Sequence, residues 1–450
     1  MQDLTVGKLS SHLIKTTSFM LVSMIFQTLY FLVDLFWVGR LGTDAVAAVG
    51  ISGNLTFVVL AVSQMLGVGT TTLVSHASGR KDHAQAVYLF NQSQVLSVTA
   101  GLVFFVLTSS LRTSYAQALS ADATTTVLAE DYLRWFIPAM ALQFAMVAMG
   151  AALRGTGNFK PGMIVQTGTV VLNMVLAPVL IFGWGTGMPL GVSGAAVATF
   201  VSIVIGIVWI AFYFIDPKAY LQFRPADWRP RLEVWWRMLK IGLPAGAEFG
   251  LMGVYLFVVY VVARPFGAAA QAGFGIGTRI VQAGFLPVVA LGFAVAPVAG
   301  QNFAARLPDR VRGAFRSAAL MAAGAMLAFT LVVQIAPVWF IAIFSSDPEV
   351  LAVGRDYLRI VSLTFVASGV TFVTSSMFQA MGNTIPSLMT SFIRILVGVM
   401  PTVILSRRAG FQLHWIWYLT VVSIALQMTL NLFLLQREFR VRLGGPPADV

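Results

Sequence analysis

A chain of 450 residues that is 58% hydrophobic and only 10% charged, with mean hydropathy +0.83, departs on both axes from soluble domains, which run roughly 45–50% apolar and about 25% charged. The absence of Cys excludes disulfides, thiolate metal sites and cysteine nucleophiles. The net charge of +12 sits in short segments between long apolar runs, which points to membrane topology and not to nucleic acid.

The chain opens MQDLTVGKLSSHLIK and then enters an apolar run too long for a cleavable signal sequence. A membrane helix needs about 20 mostly apolar residues. Twelve runs qualify: 13–38, 45–75, 86–110, 124–153, 161–183, 191–215, 236–263, 269–300, 313–341, 349–378, 386–405 and 414–436. Lipid forces each to satisfy its backbone internally, so the expected fold is an all-α polytopic membrane protein. Span 1 carries Asp34, with Tyr30 one turn earlier and Gln27 two turns earlier on the same face. A carboxyl among apolar groups resists ionisation and can exchange a proton near neutral pH. The competing reading of Asp34 is an interfacial carboxylate neutralised by Arg40. His76 and His83 flank the loop SHASGRKDH after span 2, without a third ligand for a metal. Asp131 and Arg134 in span 4 form an i, i+3 pair with an expected structural role. Asn173 in span 5 is a neutral polar group mid-span, suited either to helix–helix hydrogen bonding or to a cation or cargo contact.

Residues 216–235 form a basic, Pro-containing linker, DPKAYLQFRPADWRPR followed by LEVW. Glu248 follows Pro244 in span 7, and Arg279 and Arg394 are intramembrane cations in spans 8 and 11. Charges inside a bilayer are rare and need partners. Glu248 either serves transport or pairs with a base such as Arg279 or Lys240. Arg279 and Arg394 either pair with Glu248 or bind an anionic cargo. Gly273, Gly275 and Gly277 lie inside a span with no preceding strand, which rules out a dinucleotide fingerprint, and no Walker motif is present. Asp356 and Arg359 repeat the i, i+3 spacing in span 10. Trp37, Trp135, Trp184, Trp339, Trp415 and Trp417 fall near expected outer ends, and Trp228, Trp235 and Trp236 near inner ends, as interfacial anchors.

With the N-terminus inside, 19 Lys and Arg fall in cytoplasmic segments against 5 outside, so both termini are expected in the cytoplasm. The chain also repeats itself at a spacing of 225. Asp131-Tyr132-Leu133-Arg134 recurs as Asp356-Tyr357-Leu358-Arg359, Leu66-Gly67 as Leu291-Gly292, and Gly157, Asn158 and Pro161 as Gly382, Asn383 and Pro386. Six spans per repeat make the two halves parallel, a plan common in secondary transporters. The expected division is an N-lobe at 1–215, the linker at 216–235 and a C-lobe at 236–450 with a short cytoplasmic tail.

Four segments resemble the multidrug and toxic compound extrusion (MATE) family: VDLFWVGRLGTDAVAAVG, ALRGTGNFKPGM, LNMVLAPVLIFG with GVSGAAVAT, and APVAGQNFAARLPDRVRGA. The resemblance covers about residues 13–435, and it places the chain in the wider multidrug, oligosaccharidyl-lipid and polysaccharide flippase superfamily. It implies twelve helices in two pseudo-symmetric six-helix lobes forming a V, and no enzymatic activity. It implies Asp34, Asn173 and Thr199 as the cation-coupling set, with Gln27, Tyr30, Glu248, Arg279 and Arg394 as cargo candidates. Two family acids are absent: Ala177 follows the span 5 asparagine by four residues, and Met252 stands eight after Pro244. A lone carboxylate is a poor cage for a hard cation, which favours a proton over sodium. The expected activity is proton-coupled export of hydrophobic or cationic drug-like molecules across a bacterial cytoplasmic membrane. Sodium coupling and a lipid-linked precursor flippase are the alternatives. No cofactor, resident metal or nucleic acid is expected, membrane lipids are the surroundings, and the chain is expected to be a monomer.

Overall fold

The computed structural model describes residues 1–120, 122–185 and 187–444. The last part of the expected cytoplasmic tail lies outside them. Helices α1 (Leu9–Gly39), α2 (Thr43–Gly79), α3 (His83–Leu119), α4 (Ala123–Gly155), α5 (Phe159–Phe182) and α6 (Val192–Ile215) make the first half. The second contains α7 (Leu232–Ala263), α8 (Ala268–Ala304), α9 (Pro308–Ile335), α10 (Pro337–Ala342), α11 (Pro348–Val361), α12 (Phe365–Ala380), α13 (Ile385–Leu405) and α14 (His414–Leu443). Among the described residues there are no strands, and twelve helical segments are long and apolar enough to cross a membrane.

Two expected spans are interrupted. Span 9 ends at Ile335, because Pro337 starts the separate short helix α10 and supplies no N–H to the preceding one. Span 10 is α11 and α12 joined by a single 3₁₀ turn over Ser362–Thr364. Carbonyls at this junction accept from α9. Gln334 Nε2 donates to the Arg359 carbonyl at 2.8 Å, and Thr330 Oγ1 to the Ser362 carbonyl at 3.1 Å. Arg359 is therefore bound through its backbone, while Asp356 pairs with Arg355 at 3.0 Å, not with Arg359. Asp131 and Arg134 are both exposed, and no ion pair joins them among the described residues.

The chain forms two compact units. The first is Met1–Asp3 with Ser18–Gly246, and the second Leu4–Thr17 with Ala247–Val450. The boundaries of these units fall inside α1 and α7. The first core stacks Phe90 on Phe214, centroids 4.4 Å apart. Its linker is bound, not free. Asn91 on α3 donates to the Gln222 carbonyl and accepts from the Arg224 N–H and Trp228 Nε1, each at 2.9 Å. Gln92 donates to the carbonyls of Asp227 and Arg229 at 2.6 and 2.8 Å. His83 contacts the Tyr220 carbonyl at 2.6 Å, a structural use of that loop histidine.

The second unit captures the peptide ahead of α1 in the same manner. Leu4 is fully buried, its N–H bonded to Gln301 Oε1 at 3.0 Å and its carbonyl to Asn302 Nδ2 at 3.1 Å. Arg310 donates from Nε to Asn302 Oδ1 at 2.8 Å and from Nη1 to the Gly7 carbonyl at 2.9 Å. Trp417 is not an interfacial anchor. It is 1% exposed, stacked on Phe274 and set edge-on to Tyr357 in the core. Gly273 lets α8 approach α11, since a Cβ there would lie 3.0 Å from the Gly354 nitrogen.

Candidate functional site

In the first unit, α5 and α6 run antiparallel in close contact. A Cβ at Gly194 would sit 2.7 Å from the Leu180 carbonyl carbon, so only Gly permits this approach. Two turns further along the same seam the approach brings Asn173 to Thr199. Asn173 Nδ2 donates to Thr199 Oγ1 at 3.1 Å. Thr199 Oγ1 donates to the Ala195 carbonyl at 3.2 Å, one turn back on α6. The hydroxyl proton is thereby used, so the 3.1 Å contact with Tyr30 is donated by the tyrosine. The chain of bonds Tyr30–Thr199–Asn173 joins α1, α6 and α5.

Asp34 stands one turn beyond Tyr30 on α1 and within electrostatic reach of it and of Tyr132 on α4, whose hydroxyl lies beside Ser52. Asp34 Oδ1 and Asn173 Oδ1 are both buried without a hydrogen-bond partner. The rule that buried polar atoms are bonded is broken by both, each time by an acceptor. The expected alternative, neutralisation by Arg40, is not realised. The Arg40 guanidinium lies over the rings of Phe36 and Trp37 at 4.7 and 5.2 Å. Among the described residues no ion pair reaches Asp34. Gln27 is exposed and takes no described part in this cluster.

In the second unit the Glu248 carboxyl lies beside the Ser387 hydroxyl and faces Arg394. Arg394 also faces Tyr255, two turns after Glu248 on α7. Tyr255 Oη and Thr420 Oγ1 are 2.8 Å apart. Arg279 is exposed on α8, and the pairing with Glu248 considered above is not formed among the described residues. Nor do Glu248 and Arg394 close to an ion pair within 4.0 Å.

Sequence reasoning overlooked Tyr132, Tyr255, Thr420 and Ser387. A signal for Tyr255 was present, because Tyr30 and Tyr255 stand at the repeat spacing. Each tyrosine bonds a threonine on the last helix of its own half. Thr420 lies one turn short of the spacing that would match it to Thr199, which hid the pair. The charges do not repeat: Asp34 corresponds to Val259, Asn173 to Gly398 and Arg394 to Thr169.

A single family model, MatE, matches this chain twice, over residues 20–179 and 244–404. The chain belongs to the MatE family. The two matches coincide with the halves of the repeat, so each half carries the family pattern by itself. This MATE chain is 27% identical over 368 residues to a multidrug export protein, MepA, of Staphylococcus haemolyticus, covering 81% of this chain and 80% of the relative. It is 25% identical to an FAD transporter of Shewanella oneidensis, with 82% of each covered. It is 25% identical to the probable multidrug resistance protein NorM of Thermotoga maritima, covering 91% and 88%. A solved MATE family transporter in an outward-facing conformation superposes with TM-score 0.91 at 24% identity, covering 99% and 98%. A Pyrococcus furiosus transporter of the wider superfamily superposes with TM-score 0.90 at 24% identity. These likenesses establish the fold: an all-α MATE-type membrane protein of twelve spans.

Proposed function

We propose that this MATE chain is a proton-coupled exporter of small amphipathic molecules in a bacterial cytoplasmic membrane, with both termini inside. Its relatives' names describe multidrug export and FAD transport, and the site chemistry supports ion coupling. The observation that carries the reading is Asp34 Oδ1, a buried carboxylate oxygen without a hydrogen-bond donor and without an arginine. Such an oxygen gains more from a proton than one already bonded, because in a low-dielectric site the charged form loses hydration that nothing replaces. Tyr30 and Tyr132 stand within electrostatic reach of the carboxyl, with their hydroxyls beside Thr199 and Ser52. A change of charge there biases an equilibrium between two arrangements only if one accommodates the charge better. Asn173 Oδ1 favours sodium as a second reading, because two unpartnered acceptor oxygens are ligands a hard cation takes. The flippase alternative needs one cavity lined by Arg279 and Arg394. Arg279 is exposed and Arg394 faces Glu248 and Tyr255, which disfavours it.

The test is Asp34→Asn in everted vesicles. The variant is expected to lose cargo-dependent proton movement while still reaching the membrane at normal abundance. Unchanged antiport would overturn the coupling role.

A further inference from the structure

The two halves differ at the ends of their first and fifth spans that the proposed orientation places outside. In the first half rings fill that place. Trp37 on α1 meets Phe182 at the end of α5, centroids 6.0 Å apart, and Phe182 stacks on Trp184 at 5.5 Å. At the repeat spacing Phe36, Trp37 and Phe182 correspond to Val261, Val262 and Arg407. Two rings become valines and the third an arginine, so the second half has less apolar volume to put between α7 and α13. A cleft of about 500 Å³ lies there, with all three of these residues in its wall.

The cleft is polar at its mouth and apolar below. From Phe266 down to Phe257 it follows α7 and the 3₁₀ turn after it (Arg264–Phe266) for about 14 Å, close to the depth of one leaflet in a bilayer with a core of about 30 Å. Phe257 and Val261 are 69% and 53% exposed, and Val403 on α13 lies in the same wall. The mouth is built by the loop after α13. Gly410, at φ +82°, turns the chain in the left-handed region that favours glycine, and Phe411 comes edge-on to Phe266, centroids 5.9 Å apart. That contact fastens the loop carrying Arg407 and Arg408 to the end of α7. Both arginines are exposed, and among the described residues neither is in an ion pair. Basic residues are disfavoured on the outer side of a membrane. Three of the five counted there, Arg264, Arg407 and Arg408, stand at or beside this one cleft.

We propose that this cleft binds an anionic phospholipid of the outer leaflet, with its phosphate at Arg407 and Arg408 and an acyl chain along Phe257, Val261 and Val403. Guanidinium groups match phosphate in shape and keep their charge at every physiological pH. An acyl chain there supplies the packing that Phe36, Trp37 and Phe182 supply in the first half. The choice of leaflet rests on the proposed orientation with both termini inside; the binding itself does not. A site for soluble anions would need no apolar trough beneath its arginines, and a site for cations would not carry two guanidinium groups at its mouth.

Native mass spectrometry of the delipidated full chain in detergent tests the proposal, with dioleoyl phosphatidylglycerol and dioleoyl phosphatidylcholine as probes. The two share their acyl chains and differ in net charge. Phosphatidylglycerol is expected to bind about tenfold or more tightly, the scale of two basic side chains acting on one anionic lipid. The double variant Arg407→Gln, Arg408→Gln is expected to bring the ratio of the two affinities close to one. Arg437→Gln with Arg440→Gln removes the same charge at the other end of α14 and is expected to leave the ratio unchanged. Val261→Trp restores a ring at an exposed position and is expected to weaken phosphatidylglycerol several-fold; it decides the matter if the arginine double variant does not fold. Equal affinity for the two lipids, a ratio that survives loss of the arginine pair, lipid binding untouched by Val261→Trp, or displacement of phosphatidylglycerol by inorganic phosphate at equal concentration would each overturn the proposal. The leaflet is read separately. The chain has no Cys, so Ser406→Cys supplies its only thiol, and a membrane-impermeant maleimide is expected to label it in intact spheroplasts. Labelling only after permeabilisation would overturn the orientation and the choice of leaflet with it, while lipid binding stands on its own result.

Discussion

Thr199 has one proton and two lone pairs, and all three are committed. The proton goes to Ala195, and the lone pairs take the Tyr30 O–H and the Asn173 N–H. That arrangement fixes which end of the Asn173 amide faces Thr199 and turns Oδ1 away, as the unpartnered acceptor. Thr199→Val keeps the shape and removes the hydroxyl. It leaves the Tyr30 O–H and the Asn173 N–H both unbonded, each at a cost of about 1–3 kcal/mol for a buried polar group. The variant is expected to unfold at lower temperature by differential scanning fluorimetry and to transport poorly. Thr199→Ser, which keeps the oxygen, is expected to recover most of both. A valine variant as stable and active as the parent would show that the hydroxyl does not organise the site.

At the scale of elements, the α5–α6 seam places the site. Gly194 packs on the backbone at Leu180, and from that register Asn173 meets Thr199. Gly194→Val inserts atoms where a Cβ already comes within 2.7 Å of main chain, so α6 must move. Overpacking of this kind typically costs about 1–3 kcal/mol. The expected result is a lower unfolding temperature and a loss of coupled transport, while Gly324→Ala, at an exposed helical position of α9 where a Cβ meets nothing within 4 Å, serves as the control. The elements themselves were largely legible in the sequence, because a span needs only apolar length and the repeat needs only identical residues at one spacing. The exceptions have local causes. Pro337 ended a span early, and Trp417 turned inward because Phe274 and Tyr357 offer it two ring faces. What could not be read was which polar groups meet. Tyr255 finds Thr420 and Asn91 finds the linker through helix packing, and nothing in local sequence fixes that register. Asp34 was legible because a charge in an apolar run stands out, whereas a Tyr or Asn in such a run does not.

At the scale of the whole chain, one ancestral plan carries two different polar sites. Each half keeps a tyrosine–threonine strut between its first and last helices. Only the first adds Asp34 with unpartnered acceptors, and only the second adds Glu248 facing Arg394. Under the proposed function the first half takes the coupling ion. The coupling ion can then be tested apart from the cargo. A proton and a sodium ion each gain about 2.3 kcal/mol per 100 mV of membrane potential, so voltage alone cannot separate them. Their chemical gradients can. In proteoliposomes held at fixed pH, replacing sodium by choline is expected to leave cargo movement within about twofold of its original rate, because one carboxylate makes a weak sodium cage. Collapsing the proton gradient with a protonophore is expected to stop that movement, and Asp34→Asn to remove the dependence on the proton gradient. Transport that halts on removal of sodium while a proton gradient persists would instead assign Asn173 Oδ1 and Asp34 Oδ1 to a sodium ion.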